Sequence, residues 1–343
     1  MKNLFFFAIF SLCAFSATAQ HQLSGTITDG ADGSPVPFAT AALLRADSTV
    51  VTGVMADAVH TFPASSITAI EATTYGGSII VTGNACSEAV VEVYFSNPEW
   101  SDQKIKQTLE DNYTFDIKVE GGKLYAAVKT KKNYRSVIMG GISLIIIVPE
   151  HVNSKLETIP SGDISIRHLS GSLNFKTVGG SITVENVSGK VAGYTVGGNI
   201  NISNFDGDFD ANTTGGNIMA SNIRGTFKIG TASGNVNLNL ISGNLNASTT
   251  SGNMNIKVES VDKYVKLSNA RDIKLYLPAE KGFNLKVSAD EIETTGLNDF
   301  RGKMDDKSID GTLGDGGPFI EINTVSVQGK RKEERKKLSL IIY

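Results

Sequence analysis

Glycine stands at Gly162, Gly171, Gly180, Gly189, Gly198, Gly207, Gly216, Gly225, Gly234, Gly243 and Gly252, at an unbroken spacing of nine. Such regularity is an internal repeat, and a repeat constrains the fold before any single motif does, because each unit must pack on copies of itself. Two residues after each glycine the chain is apolar: Ile164, Leu173, Ile182, Val191, Ile200, Phe209, Ile218, Phe227, Val236, Leu245 and Met254. The residue between is always polar, and the fifth position is mostly apolar. This alternation is a short strand with one buried face. The glycine that opens each unit is read as its turn, where positive φ or close backbone approach excludes a side chain.

A second period lies over the first. Thr177, Thr195, Thr213, Thr231 and Thr249 recur in every second nonapeptide, and the alternate units carry Asn186, Asn204 and Asn222 instead. Asn199, Asn217, Asn235 and Asn253 form another row with the same doubled period. Leu169, Val187, Phe205, Ile223 and Ile241 form a third, bulkier than Val178, Val196, Thr214, Ala232 and Thr250 one nonapeptide on. Two nonapeptides therefore close one coil, and like residues stack on like. The expected fold is all-β: a single-stranded β-solenoid with 18-residue coils of paired nonapeptides, preceded by a small β segment with one capping helix. At ~4.8 Å per coil, about six coils make a stack of roughly 25–30 Å. No coil buries its own apolar face, so stability comes from stacking and the ends need caps.

The sharpest chemical alternative for a nine-residue unit is the calcium-binding nonapeptide, which needs Gly-Gly-x-Gly-x-Asp. Here the second position is usually Asn or Ser. The one acidic cluster is Asp206, Asp208 and Asp210 in "FDGDFDAN"; carboxylates at i, i+2 and i+4 of a strand offer a weak cation site, and a solvated outer face explains them equally. No other metal ligands, cofactor site or catalytic residues are expected. The histidines His21, His60, His151 and His168 fall in different segments, and Arg167, Arg224 and the aspartates do not share a row of the doubled period. An enzyme on a parallel β-helix needs such groups on one face.

"MKNLFFFAIFSLCAFSATAQ" has an early Lys, an apolar run from Leu4 to Phe15 and a small-x-small end at Ala17–Ala19. It reads as a cleaved secretory signal, too short to span ~30 Å of hydrocarbon. Its removal leaves Cys86 as the only cysteine, so no internal disulfide is expected, and Cys86 reads as a structural thiol. A formal net charge of −3 gives no field that would gather nucleic acid.

The flanks divide the chain further. The expected partition is signal peptide 1–19, a β segment 20–63, a β segment with its helix 64–148, the solenoid 149–327 and a charged tail 328–343. "SDQKIKQTLEDNY" (Ser101–Tyr113) is the one helical pattern, and "FDIKVEGGKLYAAVK" is a hairpin turning at Gly121-Gly122. "YGGSIIVTG" (Tyr75–Gly83) reads as a first repeat unit. "IIIVPEHVNSKLETI" and "IKLYLPAEKGFNLKV" both run strand, Pro, turn, strand, as if the chain joins and leaves the stack by one corner geometry. Disorder is expected up to about Lys337, with a last strand open to the apolar tip.

Two resemblances follow from these residues. "GTITDG" at Gly25–Gly30, "PVPFATAAL" at Pro35–Leu43 and "TGVMAD" at Thr52–Asp57 resemble the start of a carboxypeptidase-regulatory-like domain, a small β-sandwich. "VPEHVNSKLETIPSGDISIRHLSGSLNFKTVGGSITVENVSG", with its Val148-Pro149 strand and Gly-Gly-x-Ile-x-Val units, resembles a family of exported bacterial β-strand-repeat proteins named as candidate adhesins. That family is a domain of unknown function related to autotransporter adhesin head domains, and the likeness runs from Ile67 to about Val327. It implies the solenoid fold and brings no catalytic residues.

The expected function is a non-enzymatic scaffold or binding surface of the cell envelope, placed in the periplasm, on the outer-membrane surface or outside the cell. A repeated polar face of Asn, Ser and Thr would suit an envelope glycan or a protein partner, and open solenoid ends could self-associate. Two alternatives stay open: a polysaccharide-active enzyme on a parallel β-helix, and a periplasmic partner in envelope-stress signalling.

Overall fold

The computed structural model describes residues 40–44, 50–95, 100, 102–131, 141–269, 271–279, 282–324 and 336–343. The signal segment and most of the carboxypeptidase-regulatory-like stretch lie outside the described residues. Pro37–Tyr343 is one compact unit.

In chain order the first strands are β1 (Thr40–Leu44), β2 (Val50–Pro63), β3 (Ala69–Gly83) and β4 (Glu88–Phe95). Helix α1 (Asp102–Asn112) precedes β5 (Tyr113–Glu120), β6 (Lys123–Thr130), β7 (Ile142–Val148), β8 (Asn153–Ile159), β9 (Ile164–Arg167) and β10 (Ser170–Lys176). The regular coils are β11 (Ile182–Thr195), β12 (Ile200–Thr213), β13 (Ile218–Thr231), β14 (Val236–Thr249) and β15 (Met254–Asn269). Then come β16 (Ile273–Leu277), β17 (Phe283–Ser288), β18 (Glu291–Thr295) and β19 (Phe300–Met304). The last are β20 (Ser308–Leu313), β21 (Phe319–Thr324) and β22 (Lys337–Ile342).

These strands wind a β-solenoid with two faces. Face A stacks β7, β3, β9, the first halves of β11 to β15, β16, β22 and β18, all parallel. Face B stacks β6, β3, β8, β10, the second halves of β11 to β15, β21 and β17. From β11 to β14 all but the corner residues pair with their equivalents one coil on, Ile182 with Ile200, Ile200 with Ile218 and Ile218 with Val236. The stack is longer than the glycine pattern suggests, because flanking strands without the nonapeptide add rungs at both ends.

Those rungs are out of sequence. On face A β3 lies between β7 and β9, and on face B between β6 and β8, although it precedes all four in the chain. At the other end β21 enters between β15 and β17, and β22 between β16 and β18. The apolar tip is therefore an interior rung, with Leu338 and Leu340 fully buried, where the sequence left a final strand merely open. The two Pro-containing echoes do share a geometry: β7 to β8 and β16 to β17 both cross from face A to face B.

Beyond β7, face A continues antiparallel through β4, β2 and β1; beyond β6, face B ends on β5. The segment ending at Pro63 thus runs on in the same sheet as the rest. The hairpin turns at Gly121 and Gly122, φ 58° and 78°. Helix α1 joins β4 on one face to β5 on the other and lays Ile105 and Leu109 against the core, as a cap should. At the far end β20 and β19 close face B antiparallel.

Inside, all eleven third-position residues are buried, as is the row from Leu169 to Ile241. Phe205, Phe209 and Phe227 pack as a triad with centroids 5.3–5.6 Å apart, two contacts edge-on and one stacked. Aromatic pairs of this geometry add to the stabilisation from burial alone.

The two corners differ, which is why the true period is the doubled one. Going from face B to face A, each coil turns at Thr-x-Gly-Gly or Thr-x-Ser-Gly. The buried Thr213 hydroxyl donates to the Gly198 carbonyl of the preceding coil at 2.8 Å and accepts from the Gly216 N–H at 3.2 Å. Thr177, Thr195, Thr231 and Thr249 repeat this bridge. A β-carbon on Gly198 would lie 1.8 Å from the Gly180 carbonyl oxygen, so coils can approach only if this position is bare.

The other corner corrects the expectation that glycine is always the turn. His168, Asn186, Asn204, Asn222 and Leu240 hold φ of 52–56°, and they make the bend from face A to face B. Gly171, Gly189, Gly207, Gly225 and Gly243 follow three residues later, within the paired strand. Gly207 has φ 137°, and a β-carbon there would meet the Gly189 oxygen at 2.1 Å.

Candidate functional site

Outward side chains on face B largely satisfy one another. Glu71 binds Lys155 at 2.9 Å and Lys123 at 3.3 Å, Lys228 binds Asp210 at 2.8 Å, and Lys266 binds Glu321 at 3.2 Å. The ammonium of Lys155, and after it that of Lys123, holds the Glu71 carboxyl below the usual carboxylate range. Cross-strand pairs of opposite charge are ordinary sheet chemistry, worth well under about 1 kcal/mol each when exposed.

Many asparagines are also taken up by the fold. Asn199, Asn217 and Asn235 each accept, through Oδ1, the backbone N–H of Asn217, Asn235 and Asn253 at 2.8 Å. Ser181 does the same for Asn199 at 3.2 Å, and Asp163 for Ser181 at 2.7 Å. At the other corner Asn222 Nδ2 donates to Asn204 Oδ1 at 2.7 Å, and Asn204 Nδ2 to Asn186 Oδ1 at 2.9 Å. These two ladders brace the corners from outside, as the threonines do from inside.

The outer side of face A carries ion pairs too, Arg167 with Glu185 at 3.2 Å and Lys337 with Glu293, and between them a stretch rich in amides. One row runs Thr183, Asn201, Met219, Asn237, Asn255 and Lys274 in register. The exposed side-chain amides of Asn237, Asn239 and Asn255 make no hydrogen bond among the described residues, and Met219 is 45% exposed. Asn174 and Asn246 on face B are exposed and unbonded in the same way, but they stand singly, whereas the three on face A are grouped around one recess.

Along the asparagine corner a shallow recess of about 240 Å³ brings together Glu150, His151, His168, Ser170 and Ser188. His151 Nδ1 contacts Ser170 Oγ, and that hydroxyl also lies 3.3 Å from the Glu150 carbonyl. The sequence scattered these histidines. His168 and Ser170 stand one coil before Asn186 and Ser188, so the period could have placed them side by side. His151 lies one residue more than a full coil before Ser170 and escapes that register. The pair lacks a buried carboxylate on the imidazole, and its members are exposed or half-buried.

Asp206, Asp208 and Asp210 are set among other partners. Asp206 stands opposite Arg224 in register, and Asp210 binds Lys228. Among the described residues no three His, Cys, Asp or Glu side chains gather closely enough to hold a metal ion. Cys86 is half-buried and free. No helix among the described residues is long and apolar enough to cross a membrane.

Comparison with protein families matches residues 86–326 to the one described as Toastrack DUF4097. No curated protein matches the chain. Among solved structures, a candidate cell adhesion protein from Clostridium sporogenes is 11% identical, covering 83% of this chain and 98% of its own, at a TM-score of 0.21. A candidate adhesin from Bacteroides fragilis is also 11% identical, covering 83% of this chain and 95% of its own, at a TM-score of 0.34. At such TM-scores neither structure carries weight for fold or function.

Proposed function

The chain belongs to the Toastrack DUF4097 family, and from that premise we propose that it is a non-enzymatic, exported β-solenoid that serves the bacterial cell envelope as a rigid scaffold with a binding surface, adhesin-like in the broad sense. The observation that carries this reading is a cluster of exposed polar side chains on face A, Asn237, Asn239 and Asn255, whose amides bond to no described residue and which lie beside Tyr276 and Tyr343. A surface of many weak, spaced donors and acceptors suits an extended partner better than a small substrate. Export rests on the leader-like stretch from Met1 to Gln20. A hydrolytic alternative has one observation in its favour, the contact between His151 and Ser170. That pair lies in an open recess with no third group to orient the imidazole, unlike a working triad.

The reading is tested by protease shaving of intact cells expressing an epitope-tagged copy, with lysed cells as control and N-terminal sequencing of the mature chain. A mature chain starting near Gln20 is expected, with the tag reached from outside or only after opening the outer membrane. A chain that keeps Met1 and sediments with cytoplasmic markers would overturn it.

A further inference from the structure

We propose that face A carries a saccharide-binding groove centred on Asn239, Asn255, Lys257, Tyr276 and Tyr343; this rests on the reading of the chain as a binding scaffold and names the ligand class. A groove of about 410 Å³ opens there across β14, β15 and β16, and Asn237 also lines it. Three strands at ~4.8 Å spacing make it about 10 Å wide, the scale of one or two sugar rings.

Four observations place the site here. First, Asn237, Asn239 and Asn255 are exposed and their side chains make no hydrogen bond among the described residues, whereas the asparagines of the corner ladders do. Each free amide has two donors and one acceptor oxygen, the set that pairs with neighbouring hydroxyls on one ring. Second, two tyrosines border the amides. Tyr276 pairs in register with Lys257. Tyr343 reaches back from the end of β22, donating its hydroxyl to the Val258 carbonyl at 3.0 Å, with the residue as a whole 51% exposed. Flat rings of this kind offer an apolar surface to the C–H faces of a sugar. Third, Lys257 Nζ sits 5.0 Å from the Tyr343 ring centroid, close enough to hold that ring over the groove.

The fourth observation concerns regularity. The stack keeps its coil-to-coil register up to β14, and between β14 and β15 it shifts at three places from Leu238 to Leu245. Leu240, directly after Asn239, occupies the left-handed corner that asparagine holds in the three preceding coils, with φ 56° and 38% of its surface exposed. A bulky residue in that conformation costs about 1–2 kcal/mol. The ladder is broken, at a cost in stability, where the groove opens, and strain kept in this way clusters at binding sites. A peptide strand would need an open sheet edge for backbone pairing, and the floor here is the middle of a fully paired sheet.

The test is affinity gel electrophoresis of the full mature chain through dextran, mannan, xylan or polygalacturonate, with polyglutamate as a polyanion lacking sugar rings. At least one sugar polymer should retard the protein, and N239A/N255A and Tyr276→Ala should each weaken retardation tenfold or more. Melting temperature, followed in parallel, should hold for N239A/N255A, whose side-chain amides bond to no described residue. The groove is overturned if no sugar polymer retards the chain, if polyglutamate retards it equally, or if the variants leave retardation unchanged. Capture of a random peptide library through Asn255 would also overturn the saccharide assignment. Loss of sugar binding in Asn204→Ala at the asparagine corner, but not in N239A/N255A, would refute this groove and leave the scaffold reading standing.

Discussion

At the scale of the residue, one position in each half-coil does work that few side chains can do. Thr213 fits because its hydroxyl both donates and accepts inside an otherwise apolar core. Asn204 fits because asparagine tolerates positive φ and its amide reaches its neighbours along the axis. Leu240 breaks that rule, so Leu240→Asn is expected to raise stability by about 1 kcal/mol, measured by urea unfolding; a loss of stability would show that the leucine is held by packing. Ile218→Asp should cost several kcal/mol, because it places a charge in the interior. Asn217→Ser should cost less than about 1 kcal/mol, since Ser181 already performs the same bond in an earlier coil; equal losses from the two would refute the inward and outward assignment. The inward positions could be read from alternation alone. The left-handed corners could not, because the evenly spaced glycines drew attention from the asparagines three residues before them.

At the scale of the element, the regular coils were legible and the order of stacking was not. A parallel rung is specified by what it packs against, and that need not be its neighbour in sequence. Strand β3 carries the Thr-x-Gly-Gly corner at Thr74–Gly77, so its identity as a repeat unit could be seen, but nothing local said it would enter between β7 and β9. The same holds for β22, whose alternation Leu338, Leu340, Ile342 marked a strand without marking its place. This placement has a measurable consequence. Leu340→Ala should cost about 2–5 kcal/mol, as a core truncation does, although it lies three residues from position 343. A cost below about 0.5 kcal/mol, normal for an exposed site, would mean that β22 is a frayed end. The binding groove was invisible in sequence because it joins β14, β15 and β16 to the end of β22, and only the interleaving brings Tyr343 beside Lys257.

At the scale of the molecule, a stack of like coils joined by two unlike corners behaves as a one-dimensional array, in which each coil depends chiefly on those beside it. The charge pairs and the ladders along both corners hold neighbouring coils in register, α1 and the antiparallel strands cover the first end, and β20 and β19 extend face B at the other. The proposed binding surface is the cluster of Asn237, Asn239 and Asn255 on the outer side of face A, beside Tyr276 and Tyr343. Everything rests on the claim that the repeat is a pair of nonapeptides with two distinct corners, and not a single nonapeptide with one. The most direct measurement compares two insertions after Gly215 by circular dichroism and thermal unfolding. One duplicates Gly198–Gly215 and adds a whole coil; the other duplicates Gly207–Gly215 and adds half of one. The longer insertion should fold with a β spectrum and a cooperative transition close to that of the parent, while the shorter should lose cooperativity, because every later asparagine corner would meet a threonine corner. Equal tolerance of both insertions would contradict the account and show that the two corners are interchangeable.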